Sequence, residues 1–459
     1  MSLGNSPKSL DWIILLLFGN NIKADELQFG YVEGSNTELA TWLLINTVSQ
    51  YLKAGTSCYI LFVDCTKAYD LVKHSRIFKL LLERQVPALI IRIIMITYRR
   101  QEAIVRWESF SSRAFTIRNG VPQGAVSSPQ FFNLYTCEVF SILRKKKLGA
   151  RIANIYSGII GYADDLCLIA STRNSLQKMV TSLESFAVNA NITFSTNIDT
   201  MKSKTKCMFV SADAKQRHLV PIILNERELP WTDTYKYLGT TISNKDDRLS
   251  SDINIKRGTF ISNTYQLVQE FRWAGSFVLT RILRIYNGNI YGSNLYDLES
   301  EKYSKFATSY NSAIKLAWKL PSMTHRYWIE VLGGIHMDAI LRANMINFFK
   351  RLLSHDKTVI RAAIHSIKYN RTTVSGNNLA ILRRESLKLG IINNYESIND
   401  INTKVYKQTR RYEAVKPDDF HKLQLMNELL MIRDRELFID DDNIEHDDIM
   451  MTIDDLAVN

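Results

Sequence analysis

The chain has 459 residues, with 58 Lys+Arg against 46 Asp+Glu and a net charge of +12. At 46% hydrophobic and 23% charged, with only 19 glycines and 8 prolines, it is too apolar for a disordered chain and too poor in glycine and proline for a collagen-like or low-complexity one. Five scattered cysteines without a C-x-x-C pair argue against a disulfide frame or zinc finger and for a reducing, intracellular compartment.

The apolar run Trp12–Phe18 is far short of the ~20 residues that span a bilayer and lacks a basic leader, so it reads as a buried helix or strand rather than an anchor or signal. Residues 37–53 carry apolar positions at helical spacing, and Gly55 ends that helix. Cys58–Val63 is a β-rich apolar run closed by Asp64, a buried strand with an acid at its tip. Lys67–Leu82 and Ala88–Tyr98 read as helices, and Asp70 as the cap of the first or the partner of a basic neighbour. Residues 103–118 suit a hairpin, Gly120–Gly124 a turn, and Pro129–Leu148 a helix whose Arg144, Lys145, Lys146 and Lys147 complement the C-terminal dipole. Residues 155–170 read as strand, tight turn and strand, with Asp164 and Asp165 in the turn. Ser175–Val188 is an amphipathic helix; Lys206–Val210 and Tyr235–Ile242 are short strands. Beyond residue 250 the pattern turns helical, with Lys256, Arg257, Arg272, Arg281 and Arg284 interleaved with Tyr265, Phe271, Trp273 and Tyr286. That mixture suits phosphate contact and stacking, or a helical bundle with a basic surface. Residues 433–459 hold ten acids against two arginines, which leaves the rest of the chain at +20. The body suits a polyanionic partner and the tail a solvated, mobile end.

Chemistry enters through the acids. Asp64 closes an apolar strand, and Asp164 and Asp165 sit between two more. Charges so placed are costly without a counter-charge, and a divalent cation serves several acids at once. An all-carboxylate set selects Mg²⁺ or Mn²⁺ over zinc, and two such ions ~3.5–4 Å apart activate an attacking hydroxyl and stabilise a leaving phosphate. No H-x-x-x-H, H-x-E or Gly-Lys-Ser/Thr pattern supports zinc or P-loop chemistry. Taken alone, Tyr162-Ala163-Asp164-Asp165 reads equally as an acidic hairpin.

The order of the pieces is more specific. FVDCTKAYD (62–70), GVPQGAVSSPQFFNLY (120–135) and GYADD (161–165) resemble motifs A, B and C of reverse transcriptases, in the manner of LINE-type retrotransposons without long terminal repeats, close to the jockey and chicken-repeat-like groups. QFGYVEGSNTELATWLL (28–44), KSKTKCMFV (202–210), YKYLGTTIS (235–243) and the stretch from Ile290 to Gly334 with HRYWIEVLGG extend the likeness over residues 10–365. The resemblance implies an α+β right-hand polymerase. Its parts would be partial fingers over 1–56, a palm with a ferredoxin-like sheet and an inserted fingers segment over 57–244, a helical thumb over 245–350, and a C-terminal helical extension with the acidic tail over 351–459. It implies RNA-directed DNA synthesis from a primer 3′-hydroxyl, with an RNA template, a DNA primer, dNTPs and two Mg²⁺ (or Mn²⁺) as partners and no membrane. Oligomeric state is left open.

On that resemblance Asp64, Asp164 and Asp165 hold the metals. Tyr69 is the steric gate against ribose, or a core residue. Gln123 and Gly124 line the dNTP pocket, or form a plain turn. Lys204, with Lys206 as rival, assists the leaving pyrophosphate, and Tyr237-Leu238-Gly239 grips the primer, or is an edge hairpin. The chain departs from the family in having no endonuclease ahead of the polymerase, no early finger motif before residue 10, no Cys-His knuckle, and Val32, Glu33 and Ser35 where finger cations are common. That leaves as the alternative an impaired remnant that binds RNA or DNA without copying it, and a metal-dependent nuclease as a third reading.

Overall fold

The computed structural model describes residues 8–195, 203–211, 219–245, 249–287, 291–324, 337–368 and 373–388. The acidic tail and the HRYWIEVLGG segment lie outside them.

Four strands form the central sheet: β1 (Cys58–Val63), β2 (Ile159–Tyr162), β3 (Asp165–Ala170) and β4 (Lys206–Val210). Their order is β4-β1-β3-β2, with every neighbour antiparallel. Helix α5 (Ser128–Lys145) lies between β1 and β2 in sequence, and α6 (Arg173–Ala190) between β3 and β4. This β-α-β-β-α-β order is the ferredoxin-like palm sheet expected above. The run CYILFV tolerates burial because β1 is covered on its helix side by α6 and packs Phe62 flat against Tyr235, with ring centroids 4.1 Å apart.

The helices follow local signals. Asn36 caps α2 (Thr37–Lys53) by accepting from Leu39 N, Thr172 caps α6 by accepting from Ser175 N, and Pro129 opens α5. Helix α2 presents Leu39, Trp42 and Leu43 to the core beside β1 and β2. Helix α1 (Lys8–Phe18) is a helix, but only part of it is buried as expected. Ile14 is inside, whereas Trp12, Leu16 and Leu17 are exposed, since a helix docked along one face leaves the other to solvent.

Two elements begin elsewhere than the sequence suggests. Helix α3 starts at His74, not Lys67, and runs to Glu83; α4 (Ala88–Arg99) follows. Lys67 has φ +47°, and the carbonyls of Tyr69 and Val72 accept from Val121 N and Gly120 N, so this segment serves the 120–121 loop instead of a helix. Asp70 is therefore an exposed turn residue and no cap; the N-cap position is Lys73, without a side-chain bond. Asp165 belongs to β3, paired with Tyr162, so the turn contains only Ala163 and Asp164.

Beyond the central sheet, β5 (Thr234–Tyr237) and β6 (Thr240–Ser243) form a hairpin that meets α7 (Ser250–Glu270). Asp252 is fully buried at that junction, accepting from Thr241 N and the Tyr296 hydroxyl and paired with Lys256 at 2.8 Å. Helices α8 (Ser276–Asn287) and α9 (Glu301–Ala317) pack on α7, with Phe260 against Phe306 and Tyr310. Lys256 and Arg257, offered above for phosphate, are engaged inward, Lys256 also with Tyr291 O and Arg257 with Ser309. Tyr265 and Trp273 remain exposed. Three further helices follow, α10 (Met337–Leu353), α11 (Thr358–Lys368) and α12 (Val374–Lys388), and α11 packs on α2.

Candidate active site

Strand β1 delivers Asp64 and the β2–β3 turn delivers Asp164 and Asp165 to one edge of the sheet. Val63 pairs with Leu166, so one further step in register sets Asp64 opposite Asp165. The Asp64 backbone is held on both sides: its N–H donates to Thr205 Oγ1 and its carbonyl accepts from Ser195 N. Electrostatics report the same convergence. Burial first, then the neighbouring Asp164 and Asp64, push Asp165 up to about 6, while Lys204 opposes them. Burial and Asp64 also raise Asp164. Cys65, buried beneath the cluster, is raised by burial and then by all three acids. Lys204 is mostly exposed and stands 3.5 Å from Asp64. Lys206, its rival, sits in β4 opposite Phe62.

Three repelling carboxylates with one loosely held cation form a site short of positive charge. Among the described residues no three His, Cys, Asp or Glu side chains close into a ligand cage. An open, all-oxygen set fits Mg²⁺, which keeps waters and completes its shell with substrate phosphates instead of demanding a protein cage. The raised Asp165 has a consequence for stability. The folded chain keeps that proton where the unfolded chain has lost it, so the contribution favours folding at low pH and is lost as pH rises from 3.8 to about 6. Thermal unfolding without divalent cations should show Asp165→Asn more stable than the parent at pH 8 and level with it near pH 3; an Asn chain less stable at pH 8 would contradict this.

The turn itself is clamped by the segment that precedes α2. Gln28, 1% exposed, accepts through Oε1 from both Gly30 N (2.9 Å) and Ala163 N (2.8 Å) and donates through Nε2 to Ala163 O. Phe29 N donates to Gly161 O, and Gly161 N to Leu27 O. Lys357, just before α11, donates to the carbonyls of Glu26 and Gln28 and lies over the Phe29 ring; burial lowers its ammonium to about 8. The family likeness had marked 28–44 as fingers without a role for Gln28, and Lys357 not at all. Pairing across 135 positions leaves no local periodicity that would announce it.

Tyr69 sits beside the cluster. One face stacks on Phe132 at 4.7 Å, and its hydroxyl lies near Tyr31 and Asp164, so it is half core and half site. Gly120 (φ +92°) is pressed against Asp70 and Tyr69 backbone, which ties the 120–124 loop to this turn. Gln123 and Gly124 are exposed beyond it. A Cβ at Gly124 would meet nothing, so its glycine answers to φ +88° and not to a close approach within the chain. Tyr237 is buried against Phe62, while positive φ at Leu238 and Gly239 makes a tight turn covered by Tyr291. Its side chain supports the hairpin from within.

Residues 8–242 match the family described as reverse transcriptase (RNA-dependent DNA polymerase). The chain is 27% identical over 241 residues to the Pol polyprotein of the type-2 retrotransposable element R2DM of Drosophila melanogaster, covering 50% of this chain and 22% of that protein. It is 23% identical over 227 residues to the RNA-directed DNA polymerase of the mobile element jockey of Drosophila funebris, covering 47% and 23%. A telomerase of Candida tropicalis, solved with a TWJ fragment of telomeric RNA, aligns over 81% of this chain and 56% of its own at 12% identity and a TM-score of 0.39. The chain thus spans between a fifth and a quarter of the length of these two curated relatives. Among the described residues no helix is long and apolar enough to cross a membrane.

Proposed function

Because the chain belongs to the reverse transcriptase (RNA-dependent DNA polymerase) family, we propose that it copies an RNA template into DNA by adding dNTPs to a primer 3′-hydroxyl. The observation that carries this reading is the meeting of Asp64, Asp164 and Asp165 at one sheet edge, against Lys204.

Asp64, Asp164 and Asp165 would hold two Mg²⁺, with Mn²⁺ as substitute; bound there, the ions supply the charge that activates the hydroxyl and stabilises the leaving pyrophosphate. The chain's residues do the rest. Gln28 fixes the turn that carries Asp164, so the carboxylate is presented without reorganisation. Phe132 holds the Tyr69 ring flat beside Asp164, where it would meet the sugar edge of a dNTP. The exposed Gln123–Gly124 loop, tied to Tyr69 through Val121, borders the same space. Lys204 places an ammonium beside Asp64, in reach of a departing phosphate, and is the choice over Lys206 on that ground. In this reading residues 1–56 are fingers, 57–244 palm, 245–350 thumb and 351–459 an extension whose described part reaches the fingers through Lys357.

Incorporation of dTTP on poly(rA)/oligo(dT) with Mg²⁺ tests the reading. Binding of the hybrid without incorporation would overturn it in favour of a nucleic-acid-binding remnant. Tyr69→Ala should lower the preference for dNTPs over rNTPs by about 10- to 100-fold, since a wall against one added hydroxyl is worth no more. Unchanged rNTP exclusion would remove Tyr69 from the gate.

A further inference from the structure

The segment between α4 and the 120–124 loop forms an arm that the proposed chemistry does not use. Gln101 O accepts from Ile117 N and Glu102–Ala103 pairs with Phe115–Thr116 at its root; Arg106–Trp107 pairs with Phe110–Ser111 at its tip. The tip presents Trp107 and Phe110 directly opposite each other across the hairpin, each 75% exposed. Two large rings side by side in solvent are a liability for folding and solubility, and their placement calls for an occupant.

The surroundings identify its chemistry. Residues 99–118 hold five arginines against two glutamates, a net of +3, and all seven side chains are exposed. Among the described residues none of the five arginines forms an ion pair. Arg106 neighbours Trp107 on its own strand, and Arg99 and Arg100 end α4 at the root. Exposed rings and unpaired guanidinium groups carried on one arm suit single-stranded nucleic acid, where rings stack on bases and cations meet phosphates. A neutral lipid surface or an apolar protein patch would take the rings but leave the arginines without counter-charge.

The root also sets direction. Tyr98, in the last turn of α4, packs edge-on against His74, and His74 Nε2 bonds Gly120 O at 2.7 Å. The arm therefore springs from the loop proposed to border the incoming nucleotide. We propose that the arm is a binding surface for single-stranded RNA, its Trp107–Phe110 pair stacking on template bases not yet copied. The assignment of that RNA as template rests on the polymerase reading; the binding surface itself does not.

The test measures equilibrium binding of labelled oligo(rA), and of a blunt RNA–DNA hybrid, to the full chain without dNTPs or divalent cations. The double variant Trp107→Ala, Phe110→Ala should weaken oligo(rA) by about 10-fold or more, as expected for lost base stacking, and leave the blunt hybrid unchanged. Trp107→Phe should retain most of the affinity. Arg106→Gln with Arg113→Gln should flatten the slope of log K against log salt by about 1.4, the value for two single-strand phosphates. Equal weakening of both ligands, or none, would overturn the proposal. So would loss of self-association with RNA binding intact, which would mark the tip as a protein contact. A chain that binds oligo(rA) through the arm yet never incorporates a nucleotide would refute the copying reading alone.

Discussion

Asp64→Asn should reduce dNTP incorporation by roughly 1,000-fold while leaving the affinity for template nearly unchanged. Asparagine keeps the shape at the end of β1, and the backbone bonds to Thr205 and Ser195 do not involve the side chain. What disappears is one of three charges converging on the site, and with it a ligand to the cations that carry the transition-state charge, an effect worth several kcal/mol. The change also removes a repulsion, so Asp165 should titrate closer to an ordinary aspartate. Asp70→Asn is the matched control: it lies six residues on, in the same motif, but exposed in a turn, and should alter the rate less than twofold. Equal losses at the two positions would mean that the sheet-edge cluster is not the reacting centre.

Gly30→Ala should lower the rate by roughly 100-fold in a chain that still folds. A Cβ there would stand 2.2 Å from Ala163 N and 2.9 Å from Tyr162 C, both backbone atoms with no flexible end to swing aside. The Gly30 segment cannot retreat freely, because Gln28 Oε1 holds its N–H and Asn133 Nδ2 its carbonyl. The turn bearing Asp164 must move instead, and misplacement by about 1 Å in a positioned site costs on the order of 100-fold. Overpacking of this kind takes about 1–3 kcal/mol from stability, which thermal unfolding would register. Gly34→Ala separates strain from site: its φ is +73° but nothing stands within 4 Å, so it should cost about 1–2 kcal/mol and leave the rate intact. Full activity in the Gly30 variant would remove the clamp from the account.

What the sequence revealed and what it concealed divide along the range of the interactions. Helix α2 and strand β1 were readable because burial periodicity and capping are local, and the three aspartates because each lies at the tip of an apolar strand or in the turn between two. The start of α3 was not, since the carbonyls that would extend the helix back to Lys67 are taken by Gly120 and Val121, some fifty residues away. Gln28 looked like any polar residue at a helix approach; only contact with Ala163 gives it a role. Lys357 carried no signal, as one lysine in a basic chain, until burial over Phe29 singled it out. Tyr237 lies in a surface hairpin whose sequence does not announce that the Phe62 ring packs its side chain into the core.

Asp64, Asp164 and Asp165 are proposed to form a single seat for two cations. Electron paramagnetic resonance of Mn²⁺, titrated into the chain with RNA template, primer and a non-hydrolysable dNTP, tests it most directly. Two bound Mn²⁺ with coupled spins are expected, with the coupling abolished by Asp64→Asn. Magnetically isolated Mn²⁺, or a coupled pair that survives Asp64→Asn, would contradict it.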